Sequence, residues 1–381
     1  MNARQETDFR DAWLPPSANV SRLTLRVAGA ERSVWTARVG RGATKVLVIP
    51  GGPGKSHSYL DTFAACLDLS AFELVFYDPV GSPFSDCYTP TEPCTNDTSW
   101  MSIESFASQA LQVTQQLALP PQRTVLVGHS FGVVVALQFA LDHPGRFAGL
   151  VLSDWVAREW DHTRRMHYIA RYNAEHGCNL TSTWIVHHPP MPVSASWALG
   201  LPIYGPLGTH FWGPNGDGVG GVLEGWDVTS RLRSIRRPAL VLVGGWDIVD
   251  PLAARRMAQM LPHGSFVLLE DAGHASFLDA PAAWFGAFSR WVDGEVLKTA
   301  KGGFGWSPQA VDDVAVMKAT AGSSGWSPQA TVLLTATGLT GSAGVLAFVA
   351  FAVAFAVRGW PWKRRACGIR DTSAPLLLEG G

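Results

Sequence analysis

Three stretches, 45–50, 73–78 and 124–128, read as nearly unbroken apolar runs, the pattern of parallel strands buried on both faces. Two more strands are expected at 22–27 and 33–39, and a short one at 150–152. Helical periodicity fills 102–118, stopped by Pro120-Pro121, and 131–142, stopped before Pro144. From about 156 to 227 the period is lost and Trp, His, Pro and Gly dominate; only 158–176 and 194–200 read as helical. Strands resume at 239–245 and 265–271 around a helix at 252–261, and a last helix covers 281–296. Strands alternating with helices and interrupted once predict an α/β protein with a doubly wound, mostly parallel sheet and an inserted cap. The expected division is a core in two parts (1–155 and 228–297) around a cap (156–227), then a low-complexity linker (298–331) carrying Gly-Trp-Ser-Pro-Gln-Ala twice.

The C-terminal end adds a different element. Residues 332–357 are uncharged and 345–357 almost wholly apolar, longer than the roughly 20 residues that cross a bilayer. Arg358, Lys363, Arg364 and Arg365 follow, with Trp360 and Trp362 among them, in a basic tail (358–381). A single-pass C-terminal transmembrane helix and a membrane location are therefore expected. The side stays open: the basic tail favours an enzyme outside, and the charged first residues, with no apolar leader, favour one in the cytoplasm.

Composition excludes more than it assigns. The apolar fraction of 47% supports a large core. A formal charge of −1, with no Lys/Arg-rich run in the first 300 residues, makes nucleic acid an unexpected partner. Five cysteines lack CxxC or Cys/His ligand spacing, so no metal is expected; Cys87 and Cys94 are as readily free thiols as a bridge.

Candidate chemistry gathers around Gly128-His129-Ser130-Phe131-Gly132, a G-x-S-x-G sequence between a strand and a helix. A serine hydroxyl needs a base to become a nucleophile. His274 follows the last long strand and Asp247 the preceding one, giving the order Ser, Asp, His with all three on loops at one sheet edge. Ser130 is thus the candidate nucleophile, His274 the base and Asp247 its orienting acid, with Asp250 a weaker alternative to Asp247. The backbone N–H of Phe131 is one candidate oxyanion donor, and the loop Pro50-Gly51-Gly52-Pro53-Gly54 supplies a second.

With these motifs in order, the chain over about 20–295 resembles the proline iminopeptidase family of α/β-hydrolases. The 50–54 loop is similar to the family's HGGPG segment, 77–85 to its D-Q-x-G-x-G-x-S segment, and Trp212-Gly213-Pro214-Asn215 to a segment that closes the cap. The resemblance implies an α/β-hydrolase fold, Gly52 as the second oxyanion donor, and release of an N-terminal residue without a cofactor. Three positions depart from the family: Pro50 stands for its His, Gly216 for the Glu that binds the substrate amine, and Ile248 for a second acid of some members. Asp217, beside Gly216 in a glycine-rich segment, is the candidate replacement for that Glu.

The leading expectation is a serine hydrolase acting on a small peptide, amide or ester through an acyl-enzyme, with a rate that falls below about pH 6–7 as a histidine base protonates. A carboxylesterase or lipase-type hydrolase is the alternative within the class. A non-catalytic membrane-bound binding module of the same fold is the alternative outside it.

Overall fold

A computed structural model describes residues 14–89, 92–188, 191–201, 205–214, 220–300 and 315–317. Its centre is a nine-stranded sheet in the order β1-β2-β4-β3-β5-β6-β7-β8-β9. The strands are β1 (Asn19–Val27), β2 (Ala30–Gly40), β3 (Thr44–Ile49), β4 (Phe72–Tyr77), β5 (Thr124–His129), β6 (Gly149–Ser153), β7 (Ala239–Gly244), β8 (Gly264–Leu269) and β9 (Ala315–Met317). β1, β2 and β4 pair antiparallel; every other pairing is parallel.

The apolar runs work on both faces of this sheet. Leu47, Ile49, Val75 and Leu126 join one hydrophobic core; Val46, Val48, Leu74 and Val127 join another. Helix α1 (Ile103–Gln116) lies on the first face, with Ser102 accepting a hydrogen bond from the Ser105 N–H at its start. Helix α2 (Phe131–Asp142), the segment read as helical in the sequence, is buried along ten of its twelve residues and so is apolar on nearly every side.

The cap carries α3 (Glu159–His176), α4 (Val193–Gly200) and α5 (Gly205–Trp212). α5 is not visible in the sequence pattern, because it opens with Gly205-Pro206 and reads as a loop; proline is tolerated there because early helical N–H groups have no intrahelical partner. Two further helices, α6 (Pro251–Met260) and α7 (Pro281–Trp291), complete the core. The helix expected at 281–296 ends at Trp291 and continues as a wider π-type turn over Val292–Val296. Ala315–Met317, inside the stretch read as linker, pairs with Val267–Leu269 as the edge strand.

Cys87 and Cys94 form a disulfide with Cα atoms 5.3 Å apart, within the loop after β4. Among the described residues no helix is long and apolar enough to cross a membrane. The 332–357 span lies outside them, as does Asp217.

Strand register fixes what can meet at the carboxyl edge. Ile49 stands opposite Gly128, so the loop after β3 begins beside the loop that holds Ser130. His129 stands opposite Ser153, and Ser153 opposite Leu242, so the ends of β5, β6 and β7 lie side by side.

Candidate active site

Ser130 has φ 55° and ψ −127° at the junction of β5 and α2. A left-handed φ on a non-glycine residue is strained and persists only when the surroundings impose it. Here they do. A Cβ on Gly128 would meet the Gly132 carbonyl oxygen at 2.3 Å, and one on Gly132 would meet the Ile49 oxygen at 2.2 Å. Only side-chain-free positions let the chain turn this sharply against the neighbouring strand.

The three sequence-predicted triad residues come together. His274 Nε2 lies 2.9 Å from Ser130 Oγ, and His274 Nδ1 lies 2.7 Å from Asp247 Oδ1. The backbone holds each partner. The His274 N–H donates to the Trp184 carbonyl at 2.7 Å, and Asp247 Oδ1 also accepts the Val249 N–H at 3.0 Å. Asp250 is elsewhere employed: it caps α6 through the Leu252 N–H and pairs with Arg164 at 2.8 Å.

Burial dominates the electrostatics. It lowers the His274 imidazole to about 4, so this ring is neutral at neutral pH. It raises Asp247 to about 7, against hydrogen bonds from Asp154 and from the Val249 N–H that favour the charged form.

The predicted oxyanion donors lie at the same place. Gly51 packs so closely that a Cβ on it would stand 2.8 Å from Ser130 Cβ. Its N–H is occupied, donating to Tyr59 Oη at 2.7 Å. The N–H groups of Gly52 and Phe131 have no protein acceptor among the described residues, as donors kept for a ligand require.

Tyr59 and His129 escaped sequence reasoning. Tyr59 Oη already accepts the Gly51 N–H, so its proton goes to His129 Nδ1 at 2.9 Å. His129 Nε2–H then donates to the His274 carbonyl at 2.9 Å. This buried relay ties the 50–54 loop to the backbone of the base. It works with a neutral His129, and burial holds that ring near 3. No local motif marks the relay, since its members are 70 and 145 residues apart.

A cavity of about 630 Å³ opens over Ser130. Its walls include Trp155, Met166, Ile185, Trp212 and Ile248, and no carboxylate is among its described lining residues. Trp212 Nε1 donates to the Gly52 carbonyl at 3.0 Å. Lys55 is turned away from free cation chemistry: its ammonium donates to the carbonyls of Ala198, Leu199 and Leu201 at the end of α4, and burial lowers it to about 8. Apart from this cavity, His187, His188 and Asp271 bring three possible metal-ligand atoms within 4.8 Å of one another near the surface.

A strained serine at a strand–helix turn, bonded to a buried His–Asp pair, has the geometry of a nucleophile elbow with its base and acid. The alpha/beta hydrolase family profile matches residues 46–287, and the chain belongs to that family. Its relatives include the proline iminopeptidase of Chitinophaga pinensis, 27% identical over 290 residues that span 68% of this chain and 93% of the relative. The proline iminopeptidase of Levilactobacillus brevis is 26% identical over 313 residues, 75% of this chain and 97% of the relative. Among solved structures, the proline iminopeptidase of Mycobacterium smegmatis superposes with a TM-score of 0.61 at 19% identity, covering 73% of this chain and all of that one. A thermophilic esterase from Thermogutta terrifontis reaches 0.52 at 23% identity, covering 72% of this chain and 98% of that one.

Proposed function

We propose that this hydrolase works as a serine hydrolase of the proline iminopeptidase type, releasing an N-terminal residue or small acyl group through an acyl-enzyme. The observation that carries the reading is the continuous hydrogen-bonded path from Ser130 Oγ through His274 to Asp247 at the floor of a cavity. Ser130 attacks the carbonyl as its proton passes to His274 Nε2. The Gly52 and Phe131 N–H groups take the oxyanion, and His274 returns the proton to the leaving group. Asp247 holds the Nδ1–H tautomer and stabilises the imidazolium. Water then repeats the sequence on the acyl-enzyme, and no step calls for a cofactor. A fluorophosphonate probe tests the reading: it should label the wild type and not Ser130→Ala, and a wild type left unlabelled rejects it.

A cationic substrate amine in a desolvated pocket needs a carboxylate, and the described lining offers none. That observation favours a second reading, an esterase acting on a neutral acyl group. Asp217, outside the described residues, is the proposed amine anchor of the first. If it serves, Asp217→Asn costs about 2–3 kcal/mol in kcat/KM on a free-amine proline arylamide and leaves a nitrophenyl ester untouched. Equal cleavage of free and N-acetylated arylamides selects the esterase.

The uncharged 332–357 span enters the proposal as a single-pass membrane anchor, on sequence alone. A chain ending near residue 300 should then remain in the aqueous phase while the full chain partitions with membranes; full-length protein freely soluble without detergent removes the anchor.

A further inference from the structure

Behind the triad stands a second acid that the mechanism above does not use. Asp154 follows β6 directly, with a left-handed φ of 60°, and is as fully buried as Asp247. The register of β5, β6 and β7 puts it between the loop of Ser130 and the loop of Asp247. Its Oδ2 accepts the hydroxyls of Ser153 at 2.6 Å and Ser276 at 2.7 Å, and its Oδ1 accepts the Gly244 N–H at 3.2 Å.

Asp247 presents the complementary shortage. Its Oδ1 takes both the Val249 N–H and His274 Nδ1–H. Its Oδ2, buried, has no N–H or hydroxyl donor among the described residues. A carboxylate oxygen left so is expensive, and buried polar atoms almost always have a partner. The side chain placed to fill the role is Asp154, which is held at the start of the Asp247 loop by the Gly244 N–H and next to the His274 loop by the Ser276 hydroxyl. Two buried carboxylates in contact cannot both be ionised, but one proton between them satisfies both.

The charged groups nearby decide which acid holds the proton. Arg165 Nε donates to the Asp247 carbonyl at 3.2 Å, and His274 presents Nδ1–H to Asp247, so negative charge belongs there. His129 Nε2 is 3.8 Å from Asp154 Oδ2, beyond a hydrogen bond, and spends its proton on the His274 carbonyl. Asp154 thus has hydroxyl and N–H donors and, among the described residues, no cation bonded to it.

We propose that Asp154 is a protonated positioning residue whose O–H donates to Asp247, keeping that carboxylate ionised and aimed at His274 Nδ1. The proposal rests on the serine hydrolase reading for its kinetic consequence. Its direction accords with the burial that pushes Asp154 well above the ordinary carboxylate range.

The test compares wild type, Asp154→Asn and Asp154→Ala. Asparagine is the nearest mimic of a protonated carboxyl: its oxygen keeps the hydroxyls of Ser153 and Ser276, its NH2 donates to Asp247, and only the long Gly244 N–H contact is given up. Infrared difference spectra at neutral pH should show the carbonyl stretch of a buried protonated carboxylic acid in wild type, lost in Asp154→Asn. The asparagine enzyme should keep kcat within about threefold of wild type, while alanine lowers kcat by about 100-fold with KM little changed. The proposal is overturned if wild type minus Asp154→Asn shows no such band, if asparagine is as damaging as alanine in a folded protein, or if alanine is as active as wild type. Should alanine fail to fold, the asparagine kinetics and the infrared band still decide. Turnover surviving in Ser130→Ala would instead sink the hydrolase reading, leaving the band as an independent report on the acid pair.

Discussion

Strands β4, β5, β6 and β7 are buried at every position, whereas the cap carries Trp160, Leu180 and Val193, three of the four large hydrophobic side chains exposed among the described residues. The triad and both oxyanion candidates sit on loops leaving the buried sheet, where register fixes them from both sides. The cap meets that machinery largely through backbone carbonyls and single side chains: the Trp184 carbonyl on the His274 N–H, the α4 carbonyls on Lys55, Trp212 on the Gly52 carbonyl. The proposed chemistry thus falls on the fully buried sheet edge, and the proposed recognition on the more exposed cap. Mutations that confine their effects to one part or the other sharpen that division, and effects that cross it break it.

The largest effect expected is from Ser130→Ala. It should lower kcat by about 10⁴-fold or more, roughly 5 kcal/mol in barrier, with the thermal midpoint little changed. Activity near wild type would move the chemistry off the sheet edge altogether.

Next comes a pair of glycines, one in each part. At Gly132 a Cβ meets the Ile49 oxygen at 2.2 Å and the Pro50 oxygen at 2.9 Å. Gly132→Ala should destabilise by about 3 kcal/mol or more, because backbone cannot yield as a side chain can. Gly200, the last residue of α4, has nothing within 4 Å of its would-be Cβ. Gly200→Ala should be neutral or stabilising by up to about 1 kcal/mol. Denaturant midpoints measure both, and equal losses would mean the cap is packed as tightly as the sheet.

Much of the rigid part was legible in the sequence, for a physical reason. A strand buried on both faces is apolar at most of its positions, so β3, β4, β5 and β7 announce themselves despite Lys45, Glu73 and His129. The serine turn also has to be spelled locally, because its glycines clear a backbone clash within one loop. Asp154, Tyr59 and His129 were not legible. Each acts through a partner on another strand or loop, and only the register of β5, β6 and β7 brings Asp154 toward Asp247. The cap fared worst: α5 hides behind Gly205-Pro206, and no period reveals which of its aromatics face the cavity.

The pH profile gives the third test. An ordinary imidazole titrates near 6.5, the basis for expecting a fall below pH 6–7. Burial at the sheet edge moves His274 down to about 4. Below 4 the ring takes a proton and cannot accept one from Ser130, so the acid limb of kcat/KM should move down with it. At pH 5 the neutral fraction should exceed that of an unshifted histidine by about 30-fold. The same shift has a stability sign: the unfolded chain binds a proton below about 6.5 and the folded one does not until about 4, so stability is lost as pH falls across that window. A limb at 6.5 would show that water reaches the base and that the cap does not seal the site.

The smallest effect crosses between the two parts. Trp212, at the end of α5, donates its Nε1–H to the Gly52 carbonyl at 3.0 Å. Gly52 is the residue whose N–H is proposed to hold the oxyanion, so this one bond lets the cap steady the donor. Its ring also meets Trp155 at 5.6 Å between centroids and lines the cavity. Trp212→Phe keeps most of that apolar surface and removes the donor. The net value of such a bond is about 0.5–1.5 kcal/mol, a factor of roughly 2–12 in rate. If the loop must be held for the transition state, kcat falls and KM stays. If Trp212 serves only as a wall for the bound substrate, KM rises and kcat stays. The two parameters, measured on one substrate, decide whether the cap of this hydrolase takes part in the chemistry or only in recognition.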